Sequence, residues 1–118
     1  MFVERLQQVA DRIEGAEALA LVAKDGIPVE SVHMTGAHDI ELLAAELMSQ
    51  VRAMSQNHEE LDVGAVRHLT VTTERALLVI SALTTDYYLM LAANAATSIG
   101  RARYELRRAL LSFEHDLA

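Results

Sequence analysis

The sequence predicts an α/β (α+β) fold with elements in the order α, β, β, α, β, β, β, α. Three observations carry this. Apolar residues recur every three to four positions in three separate stretches, as helices with one buried face require. Two apolar runs flank an Asp25-Gly26 turn, the mark of a hairpin. Three strand-like runs then follow one another across connections too short for anything but antiparallel neighbours. The chain of 118 residues has one ordinary domain's length, and its 52% hydrophobic content is enough to offset backbone ordering.

Phe2, Leu6, Val9 and Ile13 share one face of a first helix, which Gly15 ends. Ala18 to Lys24 is an almost uninterrupted apolar run, as in a strand buried on both faces, and Ile27 to Met34 resumes after the turn. Pro28 has no backbone donor, so the second strand belongs outside the first, at a sheet edge. Gly36 breaks the pattern. Asp39 is then an N-cap candidate for a second helix carrying Ile40, Leu43, Leu47, Val51 and Met54 and running to about Asn57. The meander consists of Arg67 to Thr73, Ala76 to Leu83 and Tyr87 to Ala93. A last helix begins near Thr97 or Ser98, with Ile99, Ala102, Leu106, Ala109, Leu110, Phe113 and Leu117 on its apolar face.

Composition excludes several classes of function. A net charge of −7 opposes sequence-independent attraction to nucleic-acid phosphates. The absence of cysteine removes disulfides, thiol catalysis, Cys-ligated zinc and iron–sulfur clusters, and makes the cytoplasm the default compartment. Met1 to Ile13 is interrupted by charges, and the longest apolar run, Ala18 to Ala23, is too short to cross a bilayer, so no membrane insertion is expected. Histidines 33, 38, 58, 68 and 115 form no HExxH pattern, the acidic residues form no calcium loop, and G-x-S-x-G, P-loop and G-x-G-x-x-G motifs are absent. The expectation is a protein that is not an enzyme and has neither metal nor cofactor.

What the residues do offer is interaction surface. Leu42, Ala45, Met48 and Ala53 lie off the main stripe of helix two, giving it more apolar girth than one buried face needs. Either the helix is sunk deep in a monomer core or it meets a partner. The first meander strand is rich in Val, Leu and Thr and ends a sheet, so it invites pairing with another chain unless Arg67 and His68 protect it. The candidate dimer or partner interface is Leu43, Leu47, Met48, Val51 and Met54 with Leu69, Val71 and Thr73. Arg101, Arg103, Arg107 and Arg108 suit phosphate or an acidic partner, but Glu105, Glu114 and Asp116 are at hand to pair with them as a solvated helix face, the favoured reading. Gly100, costly in a first helical turn, calls for close approach of the helix to the sheet, with anion binding as the alternative.

Three local signatures stand out: Ile13-Glu14-Gly15, Lys24-Asp25-Gly26-Ile27-Pro28, and Asn94 to Gly100 leading into Arg103-Tyr104-Glu105-Leu106-Arg107. With the order of elements, they resemble the Roadblock/dynein-light-chain family, which includes bacterial mutual gliding-motility protein B-type GTPase regulators. The resemblance implies a single Roadblock-like domain over residues 1–118. It also implies a five-stranded antiparallel sheet with helix two on one face and the first and last helices on the other. It implies a homodimer, or a heterodimer with a paralogous Roadblock-like chain, joined by the strand Arg67 to Thr73 and by helices Asp39 to Asn57 lying side by side. The function implied is non-catalytic regulation of a small Ras-like GTPase, or alternatively a nucleotide-independent scaffold or adaptor subunit of a larger complex.

Overall fold

A computed structural model describes residues 2–34 and 38–117, with side chains except at 57–59 and 114–117. The elements are α1 (Phe2–Asp11), β1 (Ala16–Ala23), β2 (Pro28–His33), α2 (Ile40–Leu61), β3 (His68–Thr72), β4 (Ala76–Ala82), β5 (Tyr87–Asn94) and α3 (Ile99–Leu117), in the expected order. The largest departure is at the end of α2, which runs past Asn57 to Leu61. Its apolar stripe has run out by then, so periodicity carries no signal there. The stop comes from Asp62 (φ 55°) and Gly64 (φ 82°), whose left-handed backbone ends the helix. Gly36, expected to break the pattern before α2, lies outside the described residues, as do the side chains of His58, Glu114, His115, Asp116 and Leu117.

The five strands form one antiparallel sheet in the order β2-β1-β5-β4-β3. The run Ala18 to Ala23 sits in the interior, while Pro28 opens the edge strand β2 as its missing donor demands. Side-chain alternation divides the core between two faces. Leu19, Leu21, Leu77, Val79, Leu89 and Leu91 point to the side of α1 and α3 and pack on Leu6, Leu106 and Phe113. Ala18, Ala20, Val22, Leu78, Ile80, Met90 and Ala92 point to α2 and pack on Ile40, Ala44, Leu47, Met48 and Val51. The small residues at 18, 20 and 92 let α2 lie close to the central strands.

Turns and caps follow from side-chain chemistry. Asp25 Oδ1 accepts from the Ile27 N–H at 3.0 Å, Thr73 Oγ1 from the Ala76 N–H at 3.1 Å and Thr84 Oγ1 from the Tyr87 N–H at 3.2 Å, so each hairpin is closed by its own polar residue. Asp39 Oδ1 accepts from the Leu42 N–H, and Ser98 Oγ from the Arg101 N–H, capping α2 and α3. Gly26 (φ 95°) brings the β1–β2 turn against α2, where a Cβ would stand 3.3 Å from Ala45 Cα. At Gly15 (φ 91°) a Cβ would collide with Thr97 Oγ1, so this glycine fastens the start of β1 to the loop before α3.

Candidate interaction surface

The orientation of α2 decides which of its apolar residues are available to a partner. Ala45 and Met48 face the Gly26 turn, and Arg52 Nη1 donates to the Lys24 carbonyl at 2.9 Å, so this flank leans on the β1–β2 hairpin. At 100° per residue the opposite flank carries Leu43 and Met54 and faces the β3 side of the sheet. Leu47, Met48 and Val51 lie beneath the helix in the core, Leu47 only 4% exposed. Leu43, Leu69 and Val71 are half-buried at the margin of that same cluster. Met54 is 37% exposed and Thr73 is fully on the surface, where its N–H closes the β3–β4 turn on the Ala76 carbonyl.

The expected interface thus divides into three buried residues that hold the helix down, four along its β3 margin (Leu43, Met54, Leu69 and Val71), and Thr73 in the β3–β4 turn. The outward side of α2 carries Leu42, 69% exposed, with Ala45, Glu46, Ser49 and Ala53. Leu42, Ala45 and Ala53 are the off-stripe residues that gave the helix its excess girth, whereas Met48 proves to be core. Leu61 at the end of the helix and Val63 just beyond it are also exposed.

Beside this flank β3 is a free sheet edge among the described residues. The Thr73 N–H bonds to Ala76 O and the Ala82 N–H to Arg67 O, so odd-numbered residues of β3 turn their backbone groups toward β4. By the antiparallel alternation, His68, Thr70 and Thr72 turn theirs outward. Their side chains point to the α3 face, while Leu69 and Val71 point to α2. An unpaired strand edge and an apolar helix flank therefore run along one side of the domain.

A profile of the Roadblock/LC7 domain matches residues 2–101. The chain belongs to the Roadblock/LC7 family. A Roadblock/LC7 domain from Streptomyces avermitilis superposes with a TM-score of 0.83 at 18% identity, over 95% of this chain and 93% of that one. MglC from Myxococcus xanthus is 29% identical, with a TM-score of 0.71 and 96% of both chains covered. The gliding protein MglB from Thermus thermophilus gives 0.82 at 18% identity, over 98% and 88%. None of the curated proteins matches. No helix among the described residues is long and apolar enough to cross a membrane.

On the other face of this Roadblock/LC7 chain, α3 departs from its expected surface in three ways. Glu105, expected to serve surface pairs, is buried, its side chain 1% exposed. Its Oε2 lies 3.5 Å from Arg101 Nη2 and its Oε1 3.2 Å from Arg108 Nη1. Position 105 lies three residues beyond Ala102 and so falls on the core-facing stripe. Ile99, placed on the apolar face by its spacing, is 43% exposed because it stands in the first turn, ahead of the helix's contact with the sheet. Gly100 does not approach the sheet: a Cβ there would meet nothing within 4 Å.

Proposed function

We propose that the chain is a non-catalytic homodimeric regulator of a small Ras-like GTPase. The observation that carries this reading is the coincidence of a free β3 edge with the apolar flank of α2 along one side of a Roadblock/LC7 domain. Two copies related by a two-fold axis would pair β3 with β3 through the outward backbone groups of His68, Thr70 and Thr72. They would also bring the flanks bearing Leu43 and Met54 together, covering Leu69 and Val71. The dimer then presents the outward residues of both α2 helices, Leu42 and Ala53 with Ser49 and Glu46 among them, as one mixed apolar and polar platform. Contact of such a platform with the switch loops of a GTPase biases their conformation and so changes hydrolysis or exchange. The nucleophile, the metal and the nucleotide pocket stay with the GTPase. Among the described residues no group of three or more His, Asp or Glu is placed to hold a metal ion.

The test is capture on the tagged chain from source-cell lysate, in parallel with GDP and with a non-hydrolysable GTP analogue. The captured GTPase is then purified and its turnover measured with and without the chain. Preferential retention in one nucleotide state, with a changed rate, is the expected result. Nucleotide-independent recovery of a larger complex replaces this reading with that of a scaffold.

A further inference from the structure

On the sheet face opposite α2, between α3 and the β3 edge, lies a pocket of about 280 Å³ lined by His68, Ser81, Gly100, Arg103, Tyr104 and Arg107, with Val79 in its floor. Its charge is not that of the molecule. The chain carries a net −7, yet no carboxylate among the described residues lines this pocket. Glu105, the acidic residue nearest in sequence, is buried and already engaged through both oxygens by Arg101 and Arg108. Arg103 and Arg107, four residues apart and therefore neighbours on the helix surface, make no ion pair among the described residues. Two like charges at that spacing repel, and the acid that lies between them in sequence, Glu105, is turned inward and does not offset them.

The remaining lining is polar and held in place. Ser81 is buried, and its Oγ lies 3.0 Å from His68 Nδ1. In the tautomer where Ser81 donates to Nδ1, the Nε2–H stays free to donate to a ligand. Tyr104 adds a hydroxyl at the rim. Two guanidinium forks, an imidazole N–H and a phenol exceed what the two oxygens of a carboxylate can use, but they suit the three terminal oxygens of a phosphate. We infer that this pocket binds a phosphate dianion or a small phosphate monoester, held by Arg103 and Arg107 with His68 and Tyr104 as further donors.

The charged and titratable groups facing His68 are Arg103 and Arg107 from α3 and Arg67 from the segment before β3. Burial first, and then these three cations, hold its pKa below the ordinary 6.5. A bound dianion opposes the cations, so by linkage it raises the His68 pKa, and protonation of His68 tightens the anion in return. The site needs one copy of the chain only, so it stands or falls apart from the dimer and the GTPase.

The test is NMR titration of the isotopically labelled full chain, following the His68 imidazole and the arginine Nε–H groups at constant ionic strength. Inorganic phosphate, glycerol 3-phosphate and acetate are added separately. The expected result is saturable binding of phosphate, of the monoester or of both, an upward shift of the His68 pKa when saturated, and no saturation with acetate. Phosphate and glycerol 3-phosphate together tell whether the ester is required. The double variant R103Q/R107Q, with both sites exposed and its fold checked by circular dichroism, should bind at least about tenfold more weakly. R75Q, in the β3–β4 turn, should bind as the wild type does. The inference is overturned if neither phosphate species saturates, if acetate binds equally well, or if R103Q/R107Q titrates like the parent.

Discussion

The sharpest test of the proposed assembly is a single substitution on the edge strand, Thr70→Pro. The ladder places the Thr70 N–H on the free side of β3, because Thr73 and Arg67 exchange with Ala76 and Ala82 and their neighbours alternate with them. Proline at 70 removes no bond within the chain, and proline is accepted on an edge strand whose N–H faces away from its partner. Across a two-fold β3 junction it removes two bonds per dimer. At about 0.5–1.5 kcal/mol net for each, the loss is about 1–3 kcal/mol, a rise in dimer Kd of about 5- to 150-fold before any clash of the ring with the approaching strand. The neighbouring Val71→Pro is the control, since the Val71 N–H points to β4 opposite Leu78. That variant should lose about 2–4 kcal/mol of folding stability. Sedimentation velocity over a concentration series measures association, and urea unfolding of the same samples measures the fold. The reasoning fails if the wild-type chain sediments as a monomer at every concentration. It also fails if Thr70→Pro associates like the wild type, or if it unfolds as readily as Val71→Pro.

The remaining predictions separate residues that hold the fold from those that serve a surface. Leu47→Asp buries an unpaired carboxylate beneath α2 and should unfold the chain or cost about 3–5 kcal/mol, whereas Leu42→Glu should change stability by less than about 0.5 kcal/mol while reducing partner capture. Circular dichroism melts and capture yields read the two effects. The glycines should divide in the same way. Gly15→Ala puts a Cβ at φ 91° against Thr97 and should cost about 2 kcal/mol or more, while Gly100→Ala meets open space and should stabilise by about 0.5–1 kcal/mol, both read from urea midpoints. His68 gives stability a pH dependence of known sign. Its folded pKa lies below the unfolded 6.5, so below that pH the unfolded chain binds more protons and stability falls until the folded pKa is passed. In chloride buffer the wild type should therefore lose stability relative to His68→Gln as pH drops through 6.5. A difference between the two that stays constant with pH would contradict the shift.

The elements were legible in the sequence because each is marked by chemistry that acts locally. Asp39 and Ser98 cap the two long helices, Thr73, Thr84 and Asp25 close the turns, and Pro28 sends its strand to the edge. The orientation of α2 was a different matter. Periodicity separates the stripe of Leu47 from the off-stripe Leu42, but it does not say which of the two sides meets the core and which a partner. The choice is made by distant residues: alanines at 18, 20 and 92 leave a shallow bed, and the Gly26 turn with the Arg52 bond to Lys24 fixes the rotation. Hence three of the five helix residues expected at an interface turned out to support the fold, and Leu42 and Ala53 took the exposed side.

The arginines of α3 show the same limit of spacing from the other direction. Counted along the helix, four arginines beside three acids read as a solvated face, yet the acid that Arg101 and Arg108 share is buried. Balance along a sequence is not balance in space, however. Glu105 sits on the inward stripe and spends both oxygens on the two arginines that flank it, so Arg103 and Arg107 are left over the polar pocket at the end of β3. One inward turn of a carboxylate thus both satisfies a buried charge and leaves a pair of cations without an ion-pair partner among the described residues. That pair, on the face away from α2, gives the molecule a second chemistry independent of the apolar surface on the first.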